Sequence, residues 1–479
     1  MNPLQRALRG LVYVGASNIT LYAIGLGSSL VTARLIAPQS FGIVALATFY
    51  VTLFGLVRQL GFEQALMNRA EDVAAAAQVH LCLQLGSGLL IGLIATLAYL
   101  PLRLFAGPEQ ALIVTLLAWM ALLESWASTY RILLQKELLF GRLSALGVLT
   151  TLLGAATTIL LGLAGWEVWA LVLGNLPARL ILTYGYYRAC PIKPWPRWDG
   201  GLARWFWRFG PAWHCLLAAL AILGVTSMDN FVVGTLLGTE QLGYYARAYT
   251  WASLPTIQVT WIVSTVALPL YARFQADQSR LSAAFDLTLS MIVRCIVPMG
   301  LGLLLLPREI ILVLFGERWI AMTPIFQALA LYALLRPLSD DAGALLTAVG
   351  RMRQNNSIVI GQAIGLVVLE PLVALRVGSV GVALCVGLSY AVELGLLYGW
   401  QLRQVLRIDY RRVCGPPLLA GIGATLCVLA LSNLYRSQAP LVTLLAGGST
   451  LIGSYVLLLL LAEGKSLVTR TRALLSGAV

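Results

Sequence analysis

The chain has 479 residues, 59% hydrophobic and only 11% charged, with a mean hydropathy of +0.84. Soluble domains carry about 25% charged residues, so this composition excludes a soluble catalytic protein. The net charge of +13 is spread over short connections and does not point to nucleic acid.

A bilayer core about 30 Å thick takes roughly 20 apolar residues of helix. Runs of that kind fall at 12–33, 41–60, 79–100, 111–131, 143–164, 167–188 and 209–228, then at 242–268, 284–306, 322–347, 356–376, 380–402, 413–432 and 441–462. In lipid the backbone must satisfy its own hydrogen bonds, and continuous apolarity rules out the alternating strands of a barrel. The predicted fold is an all-α polytopic membrane protein of about 14 transmembrane helices.

Basic residues orient it. With Arg6 and Arg9 inside, the inner connections hold Arg58, Arg69, Arg131, Lys136, Arg142, Arg188, Lys193, Arg197, Arg204 and Arg208. Further along they hold Arg273, Arg280, Arg351, Arg353, Arg403, Arg407, Arg411, Arg412, Lys465, Arg470 and Arg472. The outer connections hold only Arg34, Arg103, Arg308, Arg318, Arg376 and Arg436. The excess on one side is a positive-inside signature with both termini cytoplasmic. Residues 1–33 have a basic start and an apolar run too long for a signal peptide, with no small-residue cleavage site, and read as a retained first helix. The seven cysteines are scattered, and His80 and His214 stand alone, so neither a disulfide framework nor a metal site is expected. No G-x-x-x-x-G-K occurs, and no nucleotide cofactor is expected.

The chain repeats itself. Thr32–Gly42 (TARLIAPQSFG) is matched by Val233–Gly243 (VGTLLGTEQLG), Leu104–Gly107 by Leu314–Glu317, and Phe140–Arg142 by Val349–Arg351, at offsets of 201, 210 and 209. Three matches nearly in register predict a duplicated six-span lobe. An even number of spans keeps the orientation, so the two lobes are expected around an axis along the membrane normal. The predicted division is 1–197 (spans one to six), 198–404 (spans seven to twelve) and 405–479 (spans thirteen and fourteen with a cytoplasmic tail). Pro191, Pro194, Pro196, Gly200 and Gly201 mark a linker over 189–208, whose Trp195, Trp198, Trp205 and Trp207 suit a lipid interface. A shorter surface helix, or a solvated loop, is expected over 62–78.

The runs Ala33–Gly42 and Arg58–Leu66, Asp229–Gly234 followed by Leu242–Tyr245, and Leu314–Trp319 resemble the signatures of polysaccharide flippases of the Wzx type. These belong to the multidrug/oligosaccharidyl-lipid/polysaccharide exporter superfamily. The motifs are degenerate and mark the superfamily better than the substrate. The resemblance implies two pseudo-symmetric six-helix lobes around a central cavity, plus two C-terminal helices, and alternating access. It implies flipping of polyprenyl-pyrophosphate-linked oligosaccharide across a bacterial cytoplasmic (inner) membrane, for exopolysaccharide, capsule or O-antigen. Membrane lipid, and a polysaccharide polymerase with its export machinery, are the partners implied.

Ionisable residues within spans cost roughly 2.5–3.5 kcal/mol each at mid-membrane and are expected to face a cavity or a partner. Guanidinium binds phosphate oxygens through paired hydrogen bonds and stays charged. Arg34, Arg58, Arg247, Arg294 and Arg336 are therefore candidate pyrophosphate ligands lining a cavity. Glu124, Asp229 and Asp340 are candidate coupling sites or charge partners. The competing readings are snorkelling for Arg34 and Arg58, and a pair one turn apart for Arg336 and Asp340. Tyr22, Tyr50, Gln59, Trp126 and Tyr249 are candidates for sugar contact. Gly25, Gly27, Pro211, Pro255, Pro269, Pro298 and Pro371 lie in or beside spans without defining a hinge. A cation-coupled multidrug exporter is the alternative, disfavoured by the excess of buried arginine. A polytopic glycosyltransferase or polymerase is disfavoured by the short outer connections, so no catalytic residues are expected.

Overall fold

Helix occupies each of the fourteen intervals predicted to cross the membrane among the described residues, with short breaks at Ala98 and at Gly174 and Asn175. The computed structural model describes residues 3–59, 61–209, 213–406, 408–435 and 439–464. At 3–14, 16, 57, 59, 208, 209, 213–215, 218, 261–266 and 435 it describes the backbone alone. Leu60, Pro211, Arg407, Arg436, Lys465, Arg470 and Arg472 lie outside the described residues, as do the side chains of Arg6, Arg9, Gln59, Arg208 and His214.

Two compact units divide the chain, Met1–Gly243 and Tyr244–Val479. The first holds α1 (Pro3–Leu35), α2 (Pro38–Phe54), α3 (Phe62–Asn68), α4 (Val73–Leu97), α5 (Tyr99–Ala106) and α6 (Pro108–Lys136). It continues with α7 (Phe140–Leu163), α8 (Glu167–Leu173), α9 (Leu176–Ala189), α10 (Gly200–Phe209) and α11 (Trp213–Val232). The second holds most of α12 (Thr239–Phe274), then α13 (Gln278–Leu305), α14 (Pro307–Leu314), α15 (Thr323–Ala348), α16 (Met352–Val377), α17 (Ser379–Leu396), α18 (Tyr410–Tyr435) and α19 (Pro440–Glu463).

By length and composition, 11 helices among the described residues can cross a membrane, which makes this a multi-pass membrane protein. The predicted fourteen rests on three more. Of these α2 has only 17 residues, but a 3-10 turn over Gly55–Gln59 prolongs it, while α1 and α12 have 33 and 36 residues and carry more polar side chains.

In the first unit α4 packs on α6, α1 on α7, and α9 on both α6 and α7. Its largest core cluster gathers Leu66, Leu81, Tyr130, Leu134 and Phe206. In the second, α15 packs on α13 and α17, and α18 on α13 and α19, around Tyr271, Phe285, Leu345, Leu397 and Leu451.

The stretch 62–78 is not one surface helix. Gly61 takes the left-handed conformation (φ 79°), which opens α3; α3 ends at Asn68, and the alanine run belongs to α4. The Lys136 ammonium donates to the carbonyls of Leu66, Met67 and Arg69 at 3.2, 2.9 and 2.6 Å. A cation on the free carbonyls of a helix C-terminus is the favourable end of the dipole, and it pins α3 to the end of α6. Lys136→Met should speed amide hydrogen exchange across 62–69 by tenfold or more while leaving α6 protected. Unchanged exchange there would show that the other contacts of α3 hold it without Lys136.

The linker region is helical from Gly200. Asp199 caps α10 by accepting from the backbone N–H groups of Leu202 and Gly201, which also hold its carboxyl below the usual carboxylate range. Phe206 is fully buried on Phe62 and His80, while Arg69 lies 4.5 Å over the Trp205 ring. Trp195, Trp198 and Trp207 remain exposed, as interfacial residues would be.

Two of the repeated sequence motifs share backbone form. Gly107 and Gly316 both sit at positive φ (91° and 89°) with extended ψ, each opening the helical run that contains α6 or α15. The pair Thr32–Gly42 and Val233–Gly243 meets in space. A Cβ on Gly42 would lie 1.7 Å from the Thr239 carbonyl oxygen, and a Cβ on Gly243 would lie 1.9 Å from that of Pro38. The first turns of α2 and α12 thus cross backbone on backbone, each through the glycine that closes its copy of the motif.

Candidate functional site

A polar cavity in the first unit has a volume of about 380 Å³ and is lined by Thr52, Gly55, Arg58, Glu63, Gln64, Glu124 and Arg131 among others. Three elements supply its charged groups. The 3-10 turn that prolongs α2 carries Arg58, the first turn of α3 carries Glu63, and α6 carries both Glu124 and Arg131. A spacing of seven residues puts Glu124 and Arg131 on one face of α6, two turns and roughly 10.5 Å apart. Gly55, with open space where a side chain would stand, keeps the cavity clear.

Two ion pairs cross this cavity. Arg131 Nη2 meets Glu63 Oε2 at 2.9 Å, and Arg58 Nη1 meets Glu124 Oε2 at 3.4 Å. The other oxygen of Glu124 accepts from Arg179 of α9. Glu124 therefore bridges two guanidinium groups from different helices, and its side chain is still 46% exposed. Three arginines face two carboxylates, which leaves the set net cationic.

A second polar group lies in the other unit. Arg336 sits 3.6 Å from Asp340 one turn along α15, donates to the Tyr332 hydroxyl, and lies 5.7 Å over that ring. Asp340 also accepts from Thr260 at 3.0 Å. Tyr249 and Tyr390 pack on Tyr332 at ring separations of 5.0 and 5.4 Å. Nearby on the same helix, Asp341 is buried and accepts from Tyr271 and Thr288 at 2.7 and 3.2 Å, a structural network.

The remaining predicted site residues stand on α1, α11, α12 and α13. Arg294 of α13 is held by Glu463 at the end of α19 through two contacts of 2.5 and 3.3 Å, and also donates to the Ser290 carbonyl. Both side chains are largely buried, so this pair fastens α19 to α13. Arg34 is exposed in the last turn of α1. Arg247 is half-buried in α12, and Asp229 is buried in α11, where it accepts from the Asn230 N–H at 2.7 Å. Of the predicted set, the structure brings together Arg58 with Glu124 and Arg336 with Asp340.

Glu63 and Arg131 are the cavity residues that the sequence reading placed in connections. The available signal was the seven-residue spacing from Glu124 to Arg131 on a helix predicted to be apolar. Among the described residues no group of histidine, cysteine and carboxylate side chains is arranged to hold a metal.

Residues 31–324 match the family model described as "Polysaccharide biosynthesis protein". The chain is 23% identical over 419 residues to the lipopolysaccharide biosynthesis protein WzxC of Escherichia coli (strain K12), covering 86% of this chain and 84% of that one. It is 25% identical over 302 residues to the succinoglycan biosynthesis transport protein ExoT of Rhizobium meliloti (strain 1021), covering 63% and 61%. Among solved structures, the lipid II flippase MurJ in an inward closed conformation has a TM-score of 0.78 at 14% identity, covering 96% of this chain and 100% of that one. An inward-facing multidrug resistance MATE family transporter of the MOP superfamily has a TM-score of 0.62 at 14% identity, covering 83% and 98%. These two likenesses establish a MurJ- and MATE-like helical fold.

Proposed function

Because the chain belongs to the polysaccharide biosynthesis protein family, we propose that it flips polyprenyl-pyrophosphate-linked oligosaccharide repeat units across the bacterial cytoplasmic membrane by alternating access. The product would serve surface polysaccharide such as exopolysaccharide, capsule or O-antigen. In this reading both termini are cytoplasmic, the protein performs no catalysis, and a polymerase and export machinery receive the cargo outside. The division 1–197, 198–404 and 405–479 is part of the same proposal, as two duplicated lobes and a C-terminal pair of spans.

One observation carries the reading: a cavity lined by Arg58, Arg131, Glu63 and Glu124, with Arg179 on the far oxygen of Glu124, so that three arginines share two carboxylates. The diphosphate is the part of the cargo that lipid excludes, and arginines that remain charged in a sheltered site offer it paired hydrogen bonds. Arg34, Arg247, Arg294 and Arg336 are the further arginines proposed along the route. Glu124, Asp229 and Asp340 are the proposed charge partners or coupling groups. The isoprenoid tail stays in lipid while the headgroup crosses.

Removal of a charge-assisted hydrogen bond costs about 1.5–3 kcal/mol, or roughly ten- to hundredfold in affinity. Arg58→Ala should therefore cut surface polysaccharide of a complemented deletion strain at least tenfold, with the protein still present in the membrane, and Arg58→Lys should restore part of it. Normal polysaccharide in Arg58→Ala would remove the arginine from the mechanism. A deletion strain with normal polysaccharide but heightened drug sensitivity would replace the proposal by drug export.

A further inference from the structure

We infer that Glu124 is a built-in placeholder for the cargo's diphosphate, an internal anion that occupies Arg58 and Arg179 in the empty protein and gives them up when the headgroup enters. The inference rests on the flippase reading and adds to it a named exchange of partners.

The geometry makes Glu124 look like a ligand rather than a strut. Its two oxygens serve two different guanidinium groups, Oε2 that of Arg58 at 3.4 Å and Oε1 that of Arg179. These arginines come from separate elements, the turn after α2 and helix α9, so the carboxylate alone joins them. A diphosphate has the same connectivity: several anionic oxygens on one group, able to bridge two or more arginines. Glu124 is also accessible, being 46% exposed on the wall of a cavity of about 380 Å³. An anion arriving there meets the carboxylate and its arginines together.

Electrostatics explains why a placeholder is needed. Three guanidinium groups gathered within a membrane unit with no counter-ion would repel one another in a medium that screens poorly. Glu124 and Glu63 supply two negative charges and make the empty site tolerable. The hold of Arg58 is loose, because its contact with Glu124 is long and a partly exposed ion pair gains little, while Arg179 keeps the closer contact. A group carrying two negative charges and more acceptor oxygens therefore displaces a single carboxylate. Glu63 holds Arg131 across the same cavity at 2.9 Å. That second pair is positioned to open in turn and admit the rest of the headgroup. The exchange also supplies a differential contact: bound and empty states differ in which anion joins α2 to α9, which is what a conformational response to cargo requires.

The test uses the full-length protein in nanodiscs of uncharged lipid at low salt, titrated with farnesyl diphosphate and, separately, with inorganic pyrophosphate. The placeholder predicts that Glu124→Gln, which keeps the size and removes the charge, binds farnesyl diphosphate about tenfold more tightly than the wild type. It also predicts that Arg179→Ala binds at least tenfold more weakly. Glu124→Asp, with a shorter reach, should fall between the wild type and Glu124→Gln, and it stands in if Glu124→Gln does not fold. Tighter binding of both ligands assigns the site to any diphosphate. Tighter binding of the farnesyl ester alone assigns it to a lipid headgroup. Equal or weaker binding in the Glu124 variants overturns the placeholder; if wild-type binding is then still lost in Arg58→Ala, the flippase reading survives. If no form of the protein binds either ligand, the placeholder and the cationic-site argument fall together.

Discussion

Replacing Gly243 with valine is expected to cause a large structural loss at the crossing of α2 and α12. A Cβ there would stand 1.9 Å from the Pro38 carbonyl oxygen and 2.5 Å from its carbon. Both obstacles are backbone, so no rotamer change relieves the overlap. The helices must part by more than an ångström, and the cost belongs to the overpacking tail of mutational effects, above about 4 kcal/mol. Gly42→Val meets the Thr239 carbonyl even more closely and should behave alike. The measurement is maleimide labelling of a cysteine at Ser40, a buried position between the two turns. In a Ser40→Cys background the thiol should react slowly, and adding Gly243→Val should raise the rate at least tenfold. If the rate does not change, the crossing tolerates a side chain and is not a rigid backbone contact.

The second large effect is at Arg294. Removing one member of a buried ion pair leaves the other charged and unsolvated, at a cost of about 3–5 kcal/mol. Arg294→Ala would leave Glu463, whose side chain is only 6% exposed, without its bidentate partner. The expected outcome is a fall of several degrees or more in the melting temperature of the solubilised protein. Replacing both residues, as Arg294→Met with Glu463→Leu, should recover most of that loss, because an apolar pair of similar volume often matches a buried salt bridge. This contrasts with Arg58→Ala, which removes a partly exposed cavity residue whose partner Glu124 keeps Arg179, and which should spare stability while reducing transport. If Arg294→Ala melts like the wild type and abolishes polysaccharide export, Arg294 acts on cargo rather than on the packing of α19.

Most of the helices were legible because each is written locally, as some twenty consecutive apolar residues between polar connections. The duplicated motifs were legible too, as strings ending in Gly42 and Gly243. That those two glycines touch was not, since nothing in a sequence tells which turns of separate helices cross. The cavity shows the same limit. Arg58 and Glu124 each stood out as charges inside spans, but 66 residues separate them, and the pair exists only because α2 and α6 are neighbours. Glu63 and Arg131 were masked by their position at span ends, where charge is ordinary. Arg336 and Asp340 are the opposite case, joined by helical spacing alone. Arg294 lay deep in its span and invited a role in a cavity. Its partner Glu463, 169 residues away, stands one residue past the last predicted span.

The backbone-on-backbone crossing has one more consequence. Its closest contacts are between a glycine and a backbone carbonyl, which salt does not screen, whereas the arginine–glutamate cavity is held by interactions that salt screens within a Debye length of about 10 Å at 0.1 M. Raising salt should therefore loosen the grip on an anion without loosening the crossing. Two parts of one molecule, separable by a single solution variable, would let binding and closure be titrated independently.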